Sequence, residues 1–456
     1  MNYELRNSAL SFLFFLYCNL FCISYVINTV NPKPVSEDFL QYIWQHRLYL
    51  PEGNLTSEGE TVETVQPGQL NNDAGPDFTD ARVRIGDTLW AGCVEVHLQS
   101  SDWERHGHHT DPSYNNVVLH VVYRHDADTY NARRQKIPVM ELHFDDRYYQ
   151  NYNRLANSKT HIACRDEPHK IDEFSLAAWL ERLAVERLEQ KAEAIMQTYA
   201  ATGNNWEETL YQRLARNFGF SLNALPFESL AKSLPLKILL KHRDNLLQIE
   251  ALLFGQAGML AGENTADAYY KELQKEYLYL QKKYRLEPID RFLWKFLRLR
   301  PINFPTLRIA QFAGLIYRNE HLFSQITEAR SVDAIEKLFD LKASAYWDTH
   351  YVFGKESPRR NKPFGKSAIR TVLINTVVPF LFVYGKARGN EEFCTSAISL
   401  LENLPVERNA ILAQWEELGV RNANAFTSQA LLQLNNEYCK PKRCLLCAIG
   451  NKIVRN

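Results

Sequence analysis

The chain has 456 residues, 45% of them hydrophobic and 12% aromatic, which excludes a disordered protein and, at this length, a single hydrophobic core. Lys+Arg and Asp+Glu both total 53. No global field therefore draws the protein to nucleic acid or to an anionic membrane, and any such affinity must come from a local patch.

Ala9 to Val30 carries no charge, is about long enough to cross a bilayer, and follows only Arg6 as a positive residue. It reads as a membrane anchor or an uncleaved signal, since no A-x-A site follows. The other reading is an upstream extension from a misassigned start, although no methionine separates Met1 from Met140. Clustered thiols farther along suit a reducing compartment. The body of the chain is therefore expected in the cytoplasm, with a membrane as partner only if residues 9–30 are an anchor.

A helix is predicted over Ser36 to Leu48, and a strand-rich segment follows. Ala81, Val83 and Ile85 alternate with polar residues, Gly86-Asp87 suits a type II′ hairpin turn, and Cys93 to Gln99 alternates again. On that second strand Glu95, His97 and Gln99 share one face. An antiparallel hairpin would bring Asp77, at the start of the first strand, beside Glu95. Val117 to Tyr123 reads as a buried strand with His120 as its single polar interruption, and Ile137 to Phe144 as another strand.

Pro76-Asp77 followed by Glu95-Val96-His97, on consecutive strands, resembles a variant of the PD-(D/E)XK nuclease motif. The wording GPDF, GCVEVH, SDW, HGHHTD and VVLHVV also resembles an uncharacterised bacterial family of Bacteroidetes type, over nearly all of the chain from Ser36 onward. The nuclease resemblance implies a restriction-endonuclease-like mixed α/β core and Mg²⁺- or Mn²⁺-dependent phosphodiester hydrolysis. Asp77, Glu95 and His97 would be catalytic, with Asp77 and Glu95 on the metal and Glu37 as a further ligand. Two nearby carboxylates repel unless a cation lies between them. His97 stands where the motif has lysine, and histidine is mostly neutral at pH 7. His106 and His108, with Asp111 or His97, form an alternative zinc set, although the helical spacings of zinc peptidases are absent. Asp77 as a turn cap and Glu95 with His97 as a solvated strand face are the structural alternative.

From Asp172 onward apolar residues recur at helical spacing, with helices predicted at Trp206 to Phe218, Ile238 to Leu253, Tyr269 to Tyr284, Ile309 to Tyr317 and Ile369 to Tyr384. Gly255 and Gly258 are expected to serve close helix packing. Lys355, Arg359, Arg360, Lys362, Lys366 and Arg370 make a basic loop leading into a helix, and Arg298, Arg300 and Arg308 a second basic stretch. Arg359, Arg360, Lys362 and Lys366 are the candidate nucleic-acid contacts, with a solvated loop as the alternative.

Cys93 and Cys394 read as ordinary buried thiols. Cys439, Cys444 and Cys447 are spaced for Zn²⁺ or an iron–sulfur cluster, with Cys164 as the fourth ligand; a buried unliganded thiol group is the alternative. Some nucleases of the PD-(D/E)XK superfamily resemble this plan, which implies a 4Fe-4S cluster. No small-molecule cofactor is indicated. The expected organisation is α+β: an apolar extension (1–34), a nuclease-like α/β domain (35–165), a large all-helical domain (170–437) and a cysteine-containing segment (438–456). The expected function is a metal-dependent nuclease. The alternatives are a non-enzymatic nucleic-acid-binding protein on a degenerate nuclease core and a zinc-dependent hydrolase using the His-rich segment.

Overall fold

Helix α1 (Glu37–Gln45) begins where Ser36 caps it, its Oγ accepting from the Phe39 N–H at 3.3 Å. Phe39, Leu40, Ile43 and Trp44 share one face and are fully buried, Phe39 packing on the rings of Phe144, Tyr149 and Tyr152. The helix ends before Leu48, and Arg47 turns the chain in the left-handed region at φ 51°. The computed structural model describes residues 35–71, 73–167, 172–262 and 267–456. The apolar stretch 9–30, with Cys18 and Cys22, lies outside the described residues.

Eight short strands follow: β1 (Val62–Gln66), β2 (Gln69–Leu70), β3 (Phe78–Ile85), β4 (Thr88–Gln99), β5 (Val117–Arg124), β6 (Thr129–Tyr130), β7 (Lys136–Ile137) and β8 (Val139–Glu141). Six of them make one mixed sheet in the order β1-β3-β4-β5-β8, with β2 also on β3. The β3–β4 hairpin closes with Ile85 opposite Thr88, and Gly86 at φ 55° takes the positive-φ position that a type II′ turn requires. The strand predicted over Ile137 to Phe144 is divided: Pro138 has no N–H to give a ladder, so β7 ends before it and β8 begins after it.

β4 and β5 run parallel, so the chain must cross back over the sheet between them. That crossover is the His-rich segment. It holds helix α2 (Asp102–Arg105) and a 3₁₀ turn at Pro112–Asn116, and it is anchored by Trp103, which is fully buried and donates its indole N–H to the Tyr130 carbonyl at 2.9 Å. Helix α3 (Asp146–Ala156) follows β8.

Contact density divides the chain into two compact units, Met1–Ile171 with Lys442–Asn456, and Asp172–Pro441. The residues from Lys442 onward are thus part of the first unit. Lys442 Nζ donates to the Ser158 and Thr160 carbonyls at 3.1 and 2.6 Å, and the helix Ala448–Arg455 reaches α1 through Tyr42 Oη donating to the Asn451 carbonyl at 3.3 Å.

The second unit is predominantly helical. The helices at Trp206–Phe218, Ala268–Tyr284 and Pro305–Arg318 follow the predicted periodicity closely. The helix predicted over Ile238 to Leu253 is two, Leu236–Leu240 and Leu246–Gln256, because Asn245 caps a new helix by accepting from the Gln248 N–H. Helix Lys366–Arg388 is long and apolar enough to cross a membrane by composition, but Val372, Val377, Phe380 and Leu381 sit in the unit's core. It widens into a π turn at Leu373–Val377, just ahead of Pro379.

Gly255 and Gly258 act as packing residues. A Cβ on Gly255 would lie 2.0 Å from the Tyr277 ring, and one on Gly258, at φ 71°, 2.4 Å from the Ile289 carbonyl oxygen. Gly255→Ala is expected to destabilise this unit by about 1–3 kcal/mol through overpacking, read as a lower denaturation midpoint. An unchanged midpoint would show that Tyr277 moves aside freely.

Candidate metal centre

The β3–β4 hairpin sets Asp77 against Glu95. The Asp77 N–H donates to Glu95 Oε2 at 2.9 Å, and the Val96 N–H donates to Asp77 Oδ2 at 3.0 Å. Each carboxylate thus accepts from the other strand's backbone, and the pair is brought together as the hairpin reading expected. Burial, and then the Glu95 charge, push the Asp77 carboxyl up to about 7. Glu37, on the first turn of α1, is raised as well, by burial first, with His106, Asp102 and Glu95 all near enough to act on it.

His97 lies two residues along β4 from Glu95 and on the same face, and 2% of it is exposed. The crossover passes over this face. Helix α2 ends at His106, Gly107 turns the backbone at φ 80°, and His108 comes back to donate its N–H to the Trp103 carbonyl. His108 then stacks on Tyr114 at 3.8 Å and on His97 at 5.3 Å.

Four donor atoms converge. His97 Nε2 is 3.1 Å from His106 Nδ1 and 3.5 Å from Glu95 Oε1, and His108 Nε2 is 3.3 Å from the same Glu95 oxygen. Among the described residues, His97, His106 and His108 group their ligand atoms within 4.8 Å of one another. Donors at the corners of a tetrahedron, each roughly 2.0–2.1 Å from a zinc-sized ion, stand about 3.3–3.4 Å apart. The three separations above lie near that spacing, and the three imidazole donors form the mutually close group, with Glu95 at its edge beside His97 and His108.

Behind them lies a residue that the sequence reading did not place in the site. His120 is fully buried on β5, opposite Glu95, and its Nε2 is 2.9 Å from His97 Nδ1. If His97 Nδ1 carries the proton and donates to His120, the His97 Nε2 lone pair faces the other donors, the usual outer support of a histidine ligand. Among the described residues, His120 Nδ1 has no hydrogen-bond partner. Burial holds both rings neutral, His97 down to about 3 and His120 well below the ordinary histidine range. The sequence signal for His120 was its isolation in an apolar strand. Gln41, one turn along α1 from Glu37, hydrogen-bonds Asp77 and carried no signal.

Asp111 does not join this group. It is exposed, and its Oδ1 accepts from the Ser113 N–H and hydroxyl at 2.8 and 2.7 Å, capping the 3₁₀ turn that begins at Pro112. This corrects its reading as a ligand: Asp before Pro-Ser is a helix-start signal. Of the candidate nucleic-acid residues, Arg359, Arg360 and Lys366 are exposed. Lys362 is not; it is 4% exposed, with Nζ donating to the Trp347 and His350 carbonyls at 2.7 and 2.8 Å over the Tyr351 ring. It is a structural cation and no surface contact for phosphate.

Among the described residues, Cys93, Cys164, Cys394, Cys439, Cys444 and Cys447 form no disulfide. Cys164, Cys444 and Cys447 come together within the first unit: burial, then Cys447 and Cys444, push Cys164 up to about 12, and burial and Cys447 push Cys444 up to about 11. Cys439 is buried at the end of the turn Leu434–Cys439 in the second unit.

The model of a family described as a protein of unknown function, DUF2851, matches residues 37–410. This chain belongs to the DUF2851 family. No curated protein and no solved structure matches it. The match to DUF2851 spans both α1 and the whole converging group, so every residue of the candidate centre lies inside the family region.

Proposed function

We propose that this chain is a metal-dependent hydrolase of nucleic-acid phosphodiester bonds, with Glu95, His97, His106 and His108 holding the ion. The observation that carries the reading is the grouping of the three imidazole donors within 4.8 Å of one another, with Glu95 Oε1 3.5 and 3.3 Å from two of them. Three imidazoles and one carboxylate suit Zn²⁺ or Mn²⁺ better than Mg²⁺, which prefers oxygen ligands. A divalent cation that takes a further ligand beyond the protein donors would supply Lewis-acid polarisation of a phosphoryl oxygen and activation of water near neutral pH.

The chain's own residues do the rest. His120 orients His97, Asp77 fixes the Glu95 carboxylate through the paired strands, and Glu37 adds a further acidic group at the edge of the set. His106 is exposed, which leaves one side of the centre open to a substrate. The substrate class is supported by the nuclease-like motif, now seated on an antiparallel hairpin followed by two parallel strands, with α1 packed beside it. In the same reading the three thiols of the first unit are a second ligand set, for Zn²⁺ or an iron–sulfur cluster.

The test is to load metal-stripped protein with Zn²⁺, Mn²⁺ or Mg²⁺ in turn and to incubate it with single- and double-stranded DNA and RNA. Cleavage is expected with Zn²⁺ or Mn²⁺ and none after chelation. Nucleic-acid binding without cleavage under any metal would favour a non-enzymatic role, and cleavage that survives chelation would overturn the assignment.

A further inference from the structure

Among the described residues, the buried cation Arg308 has no anionic partner. It is 5% exposed, with its guanidinium between the rings of Phe220 and Phe364 at 4.8 and 4.9 Å. Nη1 donates to Gln311 Oε1 at 2.9 Å and Nη2 to Asn303 Oδ1 at 2.7 Å, while the buried Nε has no partner among the described residues. Both acceptors are neutral amides, and an arginine has five N–H donors to satisfy. Burial pushes its pKa down only to about 10, so it stays charged at neutral pH. Ring faces offset part of the desolvation of such a charge, and an anion offsets more.

Arg308 is one of the residues lining a cleft of about 610 Å³ within the helical unit, a size in the range of small-ligand sites, roughly 300–1,000 Å³. Another part of its wall is the start of the helix Lys366–Arg388. Gly365 there has no side chain with which to cap the helix, and the first N–H groups to bond its carbonyl are those of Ala368 and Ile369. The N–H groups of Lys366 and Ser367 point out of the helix end with the positive end of its dipole. Ser221, Ser367 and Thr371 also line the cleft, the Thr371 hydroxyl donating to the Ser367 carbonyl at 2.9 Å, and Leu222, Leu299 and Ile302 give it an apolar side.

We propose that this cleft binds the phosphate group of a soluble ligand of nucleotide size, with Arg308 and the start of helix Lys366–Arg388 on the phosphate and the leucine–isoleucine wall against the rest of the ligand. The site stands apart from the Glu95 centre and does not depend on the hydrolase reading.

Calorimetric titration of the full-length protein with inorganic phosphate, AMP and adenosine tests it. AMP is expected to bind at least about tenfold more tightly than adenosine. Phosphate should compete with AMP; phosphate binding as tightly as AMP would identify a free oxyanion as the ligand and still support the anion site. Ser367→Asp places a carboxylate in the first turn, which favours the helix but repels phosphate. It should weaken AMP binding at least about tenfold with no loss of melting temperature. Arg308→Met should remove phosphate binding, and Ser367→Asp decides the matter if that variant does not fold. Equal binding of AMP and adenosine, no saturable binding of any probe, or unchanged AMP binding by Ser367→Asp would each overturn the proposal.

Discussion

Glu95→Gln is expected to weaken metal binding by at least about 100-fold and to remove metal-dependent cleavage with it. Glu95 Oε1 is the oxygen that both His97 and His108 approach, at 3.5 and 3.3 Å, so the substitution takes the charged donor out of the set. The fold should survive. Oε2 is engaged by the Asp77 N–H, and a glutamine carbonyl can accept the same bond. Glutamine also ends the repulsion between the two carboxylates, so the metal-free variant should be at least as stable as the metal-free wild type.

The two proteins should therefore exchange rank. In chelator the variant equals or exceeds the wild type, whereas with zinc at roughly 100 times its dissociation constant the wild type gains about 2.7 kcal/mol and the variant gains little. Denaturation midpoints with and without zinc read this directly. Equal zinc stabilisation of both proteins would move the metal away from Glu95, and the thiols of the first unit would be the next place to look.

The second large effect is at Trp103. Trp103→Ala should lower the stability of the first unit by about 3–5 kcal/mol, a large part of the roughly 5–15 kcal/mol that holds a typical domain together. The indole is fully buried against Tyr114, Val117 and Ile137. It also lies edge-on to His108 at 5.4 Å and tilted against His120 at 5.2 Å. Its loss therefore opens a cavity under the crossover and frees the Tyr130 carbonyl that it had satisfied. Zinc affinity should fall together with stability, because His108 loses the surface that holds it in place. Trp103→Phe keeps most of the packing and loses the N–H bond, so it should cost about 1 kcal/mol and leave zinc binding nearly intact. Loss of zinc by both variants to the same extent would show that the hydrogen bond, and not the volume, sets the crossover.

Much of the first unit was legible because local pattern and tertiary demand agree there. Val117 to Tyr123 is apolar since β5 is central and covered on both faces, and Gly86-Asp87 closes a hairpin because only that pair suits the turn. The joining of Asp77 and Glu95 followed from strand pairing alone. The set of His106 and His108 with Asp111 or His97 was named from the sequence, but the choice of His97 over Asp111 depends on the path of the crossover, which residue alternation does not encode. His120 was visible only as an exception in an apolar run, and Lys362 was misread because its acceptors are the distant Trp347 and His350 carbonyls. The break between Leu240 and Leu246 shows the opposite case: the cap at Asn245 was in the sequence, but the apolar periodicity on either side masked it.

The return of Lys442–Asn456 to the first unit bears on how the protein is made. Residues emerge from the ribosome in order, and domains generally fold as they appear, the earlier before the later. Here that order is reversed. Most of the second unit, Asp172–Pro441, emerges before the first unit receives its final helix, so the strands around Glu95 and His97 wait, until the chain is released, for the helix that Tyr42 and α3 pack against. During that interval the nascent sheet has an exposed, aggregation-prone face, and a chain released after truncation before Lys442 would carry the whole sequence of the helical unit and a first unit without its final helix.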